Sequence, residues 1–200
     1  MAQAAPTRGR RKADEEAMLD AAMECVLAFG VRRTTLSDVA RRANLSRMTL
    51  YRRWPDVDSL VTDLITRECG TITARAAADT ETGDGPLCER MIGQIVVAAQ
   101  ELRDHPLLRK IIDVDPELLL PYLLRRRGKS QDTILDYLTA AIARGQQDGS
   151  IRPAEPGLLA RTVLLAVQSF VLSAAALAEP AALADIDEQL ALMLRNYLAA

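Results

Sequence analysis

The chain has 200 residues, 49% of them hydrophobic, which is enough for one or two compact domains with a real core. Aromatic residues make up only 4% while alanine and leucine are abundant, a composition that favours helices over sheet. Three scattered cysteines with no CxxC spacing exclude a disulfide framework, and a net charge of −2, taken in bulk, speaks against a nucleic-acid binder.

The opening, MAQAAPTRGRRKADEE, has basic residues with no apolar run behind them, so it does not read as a signal peptide. Residues 1–12 are expected to form a disordered basic arm, with Arg8, Arg10, Arg11 and Lys12 able to follow a minor groove. A first helix is predicted from about Asp14 to Phe29. It places Met18, Ala22, Cys25 or Val26, and Phe29 on one face, and Gly30 stops it.

Two short helices joined by a tight turn are predicted over residues 30–54. Thr35, followed three residues later by Asp38, has capping-box spacing, and Val39 and Ala40 face inward. Asn44 stands at the turn, where a residue tolerant of the left-handed conformation is needed. Ser46 caps the next helix, and Leu45 is placed to staple onto Leu50. At 100° per residue, Leu50 and Trp54 share the packed side, while Arg47, Met48 and Thr49 form the first turn of the opposite one. Between Arg41 and Arg53 lie five arginines and no acid. Laid in a major groove, Arg47, Met48 and Thr49 would meet base edges, with Tyr51, Arg52 and Arg53 nearer phosphate oxygens. The charge balance divides to match. Residues 1–58 hold eleven basic and eight acidic groups (+3), and residues 59–200 hold fourteen and nineteen (−5).

A fourth helix is predicted from Pro55-Asp56 to roughly Ala78, followed by a loop from Asp79 to Pro86. Leu87, Met91, Ile95, Ala98 and Leu102 mark a fifth, His105-Pro106 breaks the chain, and a short sixth runs through Ile111 and Ile112. A seventh begins after Asp115-Pro116 and is interrupted near Gly128 before resuming through Ile134, Leu138 and Ile142. After a loop from Gly145 to Gly157, two helices close the chain, about Ala154–Leu177 and Ala181–Leu198. The first is apolar nearly all round, through Val163, Val167, Phe170 and Val171. The second carries Ile186, Leu190, Met193 and Tyr197 at spacings of four, three and four. Either this pair is ordinary core or it packs on its copy as a four-helix bundle. The uncharged run Thr162–Ala178 includes Gln168, Ser169 and Ser173, short and soft for a membrane span, so no membrane partner is expected.

The stretch Gly30–Leu60 resembles the DNA-binding domain of the TetR family of transcriptional regulators. The matching residues are Gly30-Val31, Thr35-Leu36-Ser37-Asp38-Val39-Ala40, Leu45-Ser46 and Leu50-Tyr51-Arg52-Arg53-Trp54. It departs from the family pattern at Asn44 (usually glycine), Arg53 (often His or Tyr) and Val57, where a phosphate-gripping lysine commonly begins the fourth helix. The resemblance implies an all-α fold of about nine helices. Residues 13–58 would be a three-helix helix-turn-helix head and 59–200 a regulatory and dimerisation body. It implies a DNA-binding set of Thr35, Ser46, Arg47, Met48, Thr49, Tyr51, Arg52 and Arg53. It also implies dimerisation through the last two helices, at Val163, Val167, Phe170, Val171, Ile186, Leu190, Met193 and Tyr197.

Family members bind effectors among helices four to seven. Here the apolar residues Met91, Ile95, Leu102, Leu108, Ile112, Leu119, Leu123 and Leu138 would suit a lipophilic small molecule, with Arg103, His105, Asp113, Tyr122 and Gln168 as candidate polar anchors. The expected function is a cytoplasmic repressor that leaves a pseudo-palindromic double-stranded operator when such a molecule binds. The alternative is a DNA-binding protein without a ligand, or a helical interaction protein controlled by a partner.

The remaining motifs carry less. Arg125-Arg126-Arg127-Gly128-Lys129 reads as a solvated helix end, and Gly128-Lys129-Ser130 lacks the first P-loop glycine, Leu123 standing there. Asp113, Asp115 and Glu117 read as capping before Pro116 rather than as a metal site. One histidine and the absence of HExxH, GxSxG and GxGxxG point away from an enzyme, and no metal or cofactor is expected.

Overall fold

The computed structural model describes residues 8–200, with side chains from Ala13 onward except that of Pro180. The expected basic arm therefore lies outside the described residues, apart from the backbone of 8–12. That stretch is already helical despite Gly9, because no proline interrupts it and the arginines, Lys12 and Ala13 are good helix formers, and α1 spans Arg8–Phe29.

Among the described residues the chain is all-α. The further helices are α2 (Leu36–Arg42), α3 (Arg47–Arg53), α4 (Val57–Thr82), α5 (Leu87–Asp104), α6 (Pro106–Val114), α7 (Leu120–Leu124), α8 (Lys129–Gln147), α9 (Pro156–Leu177) and α10 (Leu183–Leu198). The expected seventh helix is divided into a 3-10 turn at Pro116–Leu118, α7, and α8 after Gly128. Helix α4 runs four residues past the expected end, because no breaker precedes Gly83. Helix α9 starts at Pro156 rather than Ala154. Proline suits the first helical turn, and Glu155 caps it by accepting from the Gly157 and Leu158 amides.

The chain divides into two compact units, Met1–Thr66 with Pro106–Arg125, and Arg67–His105 with Arg126–Ala200. In the first, α1 packs on α2 and α6, and α2 packs on α3. Its core joins Met18, Ala22 and Val26 of α1, Leu36 and Val39 of α2, Leu50 and Trp54, Leu60 and Leu64 of α4, and Leu107 and Ile111 of α6. Two seven-residue helices and α1 offer too little surface to enclose a core alone. Leu107 and Ile111, fully buried, each add about 1.5–3 kcal/mol to its closure.

In the second unit α5, α8, α9 and α10 pack on one another through Met91, Ile92, Ala99, Leu138, Ala141, Ile142, Leu159, Ala160, Val163, Leu190 and Leu194. One ion pair lies inside. The Arg103 guanidinium donates to both Asp187 oxygens at 2.8 and 2.7 Å, and the Gln100 amide donates to the same carboxylate at 2.9 Å. Helix α9 has the length and apolar composition of a membrane-crossing helix, yet packs on α8, α5 and α10.

Candidate nucleic-acid interface

Local bonds build the helix-turn-helix. The Thr35 hydroxyl accepts from the Asp38 amide at 3.1 Å and donates to the Asp38 carboxylate at 2.6 Å, closing the N-terminus of α2. That bond, with Arg41 nearby, holds the Asp38 carboxyl below its usual range. The turn then reverses through Asn44 at φ +54°, which an asparagine tolerates. Ser46 starts α3, its hydroxyl accepting from the Thr49 amide at 3.2 Å and pairing with the Thr49 hydroxyl at 2.8 Å. Behind α3, Leu50 and Trp54 are buried, and the Trp54 indole donates to Asp63 at 3.0 Å.

This packing turns the first turn of α3 outward. Met48 is 75% exposed, Arg47 and Arg52 are exposed, and Tyr51 is half exposed. Among the described residues Arg47 and Arg52 enter no ion pair, so both guanidinium forks are open to an anion. The neighbouring arginines are committed elsewhere. Arg41 donates to Asp38 at 2.8 Å, Arg42 to Glu24 of α1 at 3.0 Å, and Arg53 to Glu15 of α1 at 2.8 Å while stacking 5.2 Å from the Trp54 ring. The Glu15 bond raises the Arg53 pKa above its ordinary value. Of the eight expected DNA contacts, Arg47, Met48, Tyr51 and Arg52 are presented on α3, Thr35 and Ser46 cap helices, Thr49 is shared with a cap, and Arg53 is a brace.

The loop before α2 is held by residues that, in sequence, look like a local turn. Val31 donates its amide to Asp115 at 2.8 Å, and Arg32 donates through Nε to Glu117 at 2.8 Å. Asp115 makes no cap bond to its own 3-10 turn. The contact spans 84 residues and has no local signature.

The expected effector residues divide between the units. Met91, Ile95, Leu102, Arg103, Leu138 and Gln168 lie in the second; Ile112, Leu119, Tyr122 and Leu123 lie in the first. Four anchors have partners: Arg103 with Asp187, His105 facing Glu68 at 3.4 Å, Tyr122 with Thr62 at 3.0 Å, and Gln168 with Gln131 at 3.3 Å. Of the expected dimer residues, Val163, Val171 and Leu190 are buried within their own unit. Val167, Phe170, Ile186 and Tyr197 are half-buried, and Met193 is exposed. The apolar residues left uncovered on α9 are Leu158, Leu165 (68% exposed) and Leu177, with Leu192 on α10. The spacing 158–165, bridged by Thr162 and Ser169, marks one helix face. It was hidden because the helix is apolar on every side.

Comparison with known proteins gives one consistent result. The family model for bacterial regulatory proteins of the tetR family matches residues 18–64. A helix-turn-helix-type transcriptional regulator of Mycobacterium tuberculosis is 37% identical over 157 residues, covering 78% of this chain and 79% of that protein. The regulator YhgD of Bacillus subtilis is 25% identical over 147 residues, 74% and 76% of the two chains. Among solved structures, a TetR-family regulator from Pectobacterium atrosepticum superposes with a TM-score of 0.77 at 21% identity, covering 98% of this chain and 99% of that one. The SmeT–triclosan complex superposes with a TM-score of 0.64 at 22% identity, covering 94% and 92%.

Proposed function

The chain belongs to the TetR family of helix-turn-helix transcriptional regulators, and from that premise we propose that it works as a cytoplasmic homodimer repressing transcription from a pseudo-palindromic operator. The observation that carries this reading is the outward first turn of α3, with Arg47 and Arg52 unpaired among the described residues, beside Met48 and Tyr51. Arg47 is the base reader, its fork matched to guanine O6 and N7. Thr49 reads or packs against a thymine methyl beside it, while Tyr51 and Arg52 grip phosphates.

A short reading helix gains affinity when two copies bind together. The pairing surface is the uncovered ridge Leu158–Thr162–Leu165–Ser169 with Leu192 and Met193, which a second copy would bury. The effector is a lipophilic small molecule. The apolar Met91 and Leu138, which are buried, and Ile95 and Leu102, which are half-buried, support this, as does the likeness to SmeT, whose solved complex holds triclosan. SmeT itself is the repressor of a multidrug efflux pump. Release would follow if the ligand bound the DNA-incompetent state more tightly.

The test is a mobility-shift titration on fragments selected from genomic DNA. Sequence-specific binding lost in Arg47→Ala and Thr49→Ala supports the reader, and unchanged binding in both favours an interaction role. Triclosan and related lipophilic phenols, added to the same titration, should weaken operator binding. No change with any of them would favour a regulator without a small-molecule ligand.

A further inference from the structure

We propose that Asp115 is a positioning residue for operator recognition, an inference that rests on the DNA-reading function above. Its side chain is 1% exposed, and a carboxylate taken out of water is costly unless it is bonded. One oxygen accepts the buried Val31 amide at 2.8 Å. The other has no hydrogen-bond partner and faces the Arg32 Nε at 3.4 Å. The approach is close: a Cβ on Gly30, which sits at φ +80°, would come within 3.2 Å of the Asp115 carboxylate and of the Val114 side chain.

From Val31 the bonding continues into the reading unit. The Val31 carbonyl accepts from the Thr34 amide at 3.0 Å, and the buried Thr34 hydroxyl donates to the Gly30 carbonyl at 2.8 Å. Thr35, the next residue, caps α2, and α2 packs on α3. The end of α6 therefore fixes the loop from which the recognition pair starts. An acidic group that looks local to its own turn sets the pose of Arg47 without approaching DNA.

The test uses the full chain with the selected operator duplex and a scrambled duplex of equal length and salt, read by fluorescence anisotropy, with far-UV circular dichroism as the check on folding. Asp115→Ala is expected to weaken operator binding about tenfold or more, the scale of one buried donor left unpaired. Its affinity for the scrambled duplex should stay within about twofold, as for surface changes. Asp115→Asn, whose amide oxygen can accept the same Val31 bond, should recover most of the operator affinity. Asp115→Glu keeps the charge but carries the acceptor one methylene further; it should stay folded and lose discrimination between the two duplexes, which keeps the idea testable if Asp115→Ala does not fold.

Operator affinity at the wild-type level in both Asp115→Ala and Asp115→Glu would overturn the proposal, as would equal losses on both duplexes. If the wild type itself did not discriminate between the duplexes, the DNA-reading function would fail first and this inference with it.

Discussion

Arg47 and Arg52 differ from their neighbours in what they are free to do. With Arg41, Arg42 and Arg53 paired to acids, Arg47 and Arg52 are the α3 arginines that enter no ion pair among the described residues. Substituting Arg47 by alanine should cost about 1–3 kcal/mol at one base position and relax specificity there. Arg52→Ala should weaken all sequences alike and reduce the slope of log K against log salt by about 0.9 for each phosphate no longer neutralised. Arg53→Ala should leave that slope unchanged, since its partners are Glu15, Asp63 and the Trp54 ring. Titrations of each variant at several salt concentrations separate the three. Most of this surface was legible in the sequence, because caps and helix phase depend on residues three or four apart. Which arginines were already paired was not, because Glu15 lies 38 residues from Arg53 and Glu24 18 from Arg42.

Specific polar contacts mark the ends and joints of the elements in this chain. Ser46 caps α3, and Ser46→Ala should cost about 1 kcal/mol, seen as faster amide exchange in the first turn of α3. Helices α5 and α10 are joined by the buried Arg103–Asp187 pair and by Arg195, which donates to both Glu89 oxygens at 2.8 Å. The Arg103 bond holds the Asp187 carboxyl below its ordinary range despite burial pushing the other way. The native state therefore binds fewer protons than the unfolded chain as pH approaches the carboxylate range. The pair's contribution is fully present above the unfolded value of about 3.9 and is lost as pH falls through the lower native value. Urea unfolding at neutral and acid pH should register this loss in the wild type. Asp187→Ala should lose about 3–5 kcal/mol at neutral pH, the cost of stranding a buried partner, and show a flatter acid dependence. Sequence alone made Arg103 a candidate ligand anchor, since its partner lies 84 residues away. Helix boundaries were legible to within a few residues wherever proline or glycine lay close by; they slipped at α1, which starts at Arg8 rather than Asp14, and at α4, which runs on through Asp79–Thr82 to the residue before Gly83.

At the scale of the whole molecule, the proposed function turns on two copies binding together. Leu165, 68% exposed in the middle of α9, is the residue whose change should matter most. Leu165→Glu should shift the sedimentation coefficient to that of a monomer and lower operator affinity more than affinity for a single half-site. A wild-type monomer at micromolar concentration would sink the dimer. The all-α class was readable from composition and period. The uncovered face of α9 was not, because a helix apolar on all sides does not say which side its own chain will cover.

Sequence-specific reading by the first turn of α3 underlies every functional statement above, and footprinting on a genomically selected fragment bears on it without intermediaries. Two protected half-sites related by a two-fold axis are expected, their centres about 10–10.5 base pairs or a multiple apart, with protection lost in Arg47→Ala. Equal affinity for the selected fragment and a scrambled duplex, or protection indifferent to Arg47, would refute it.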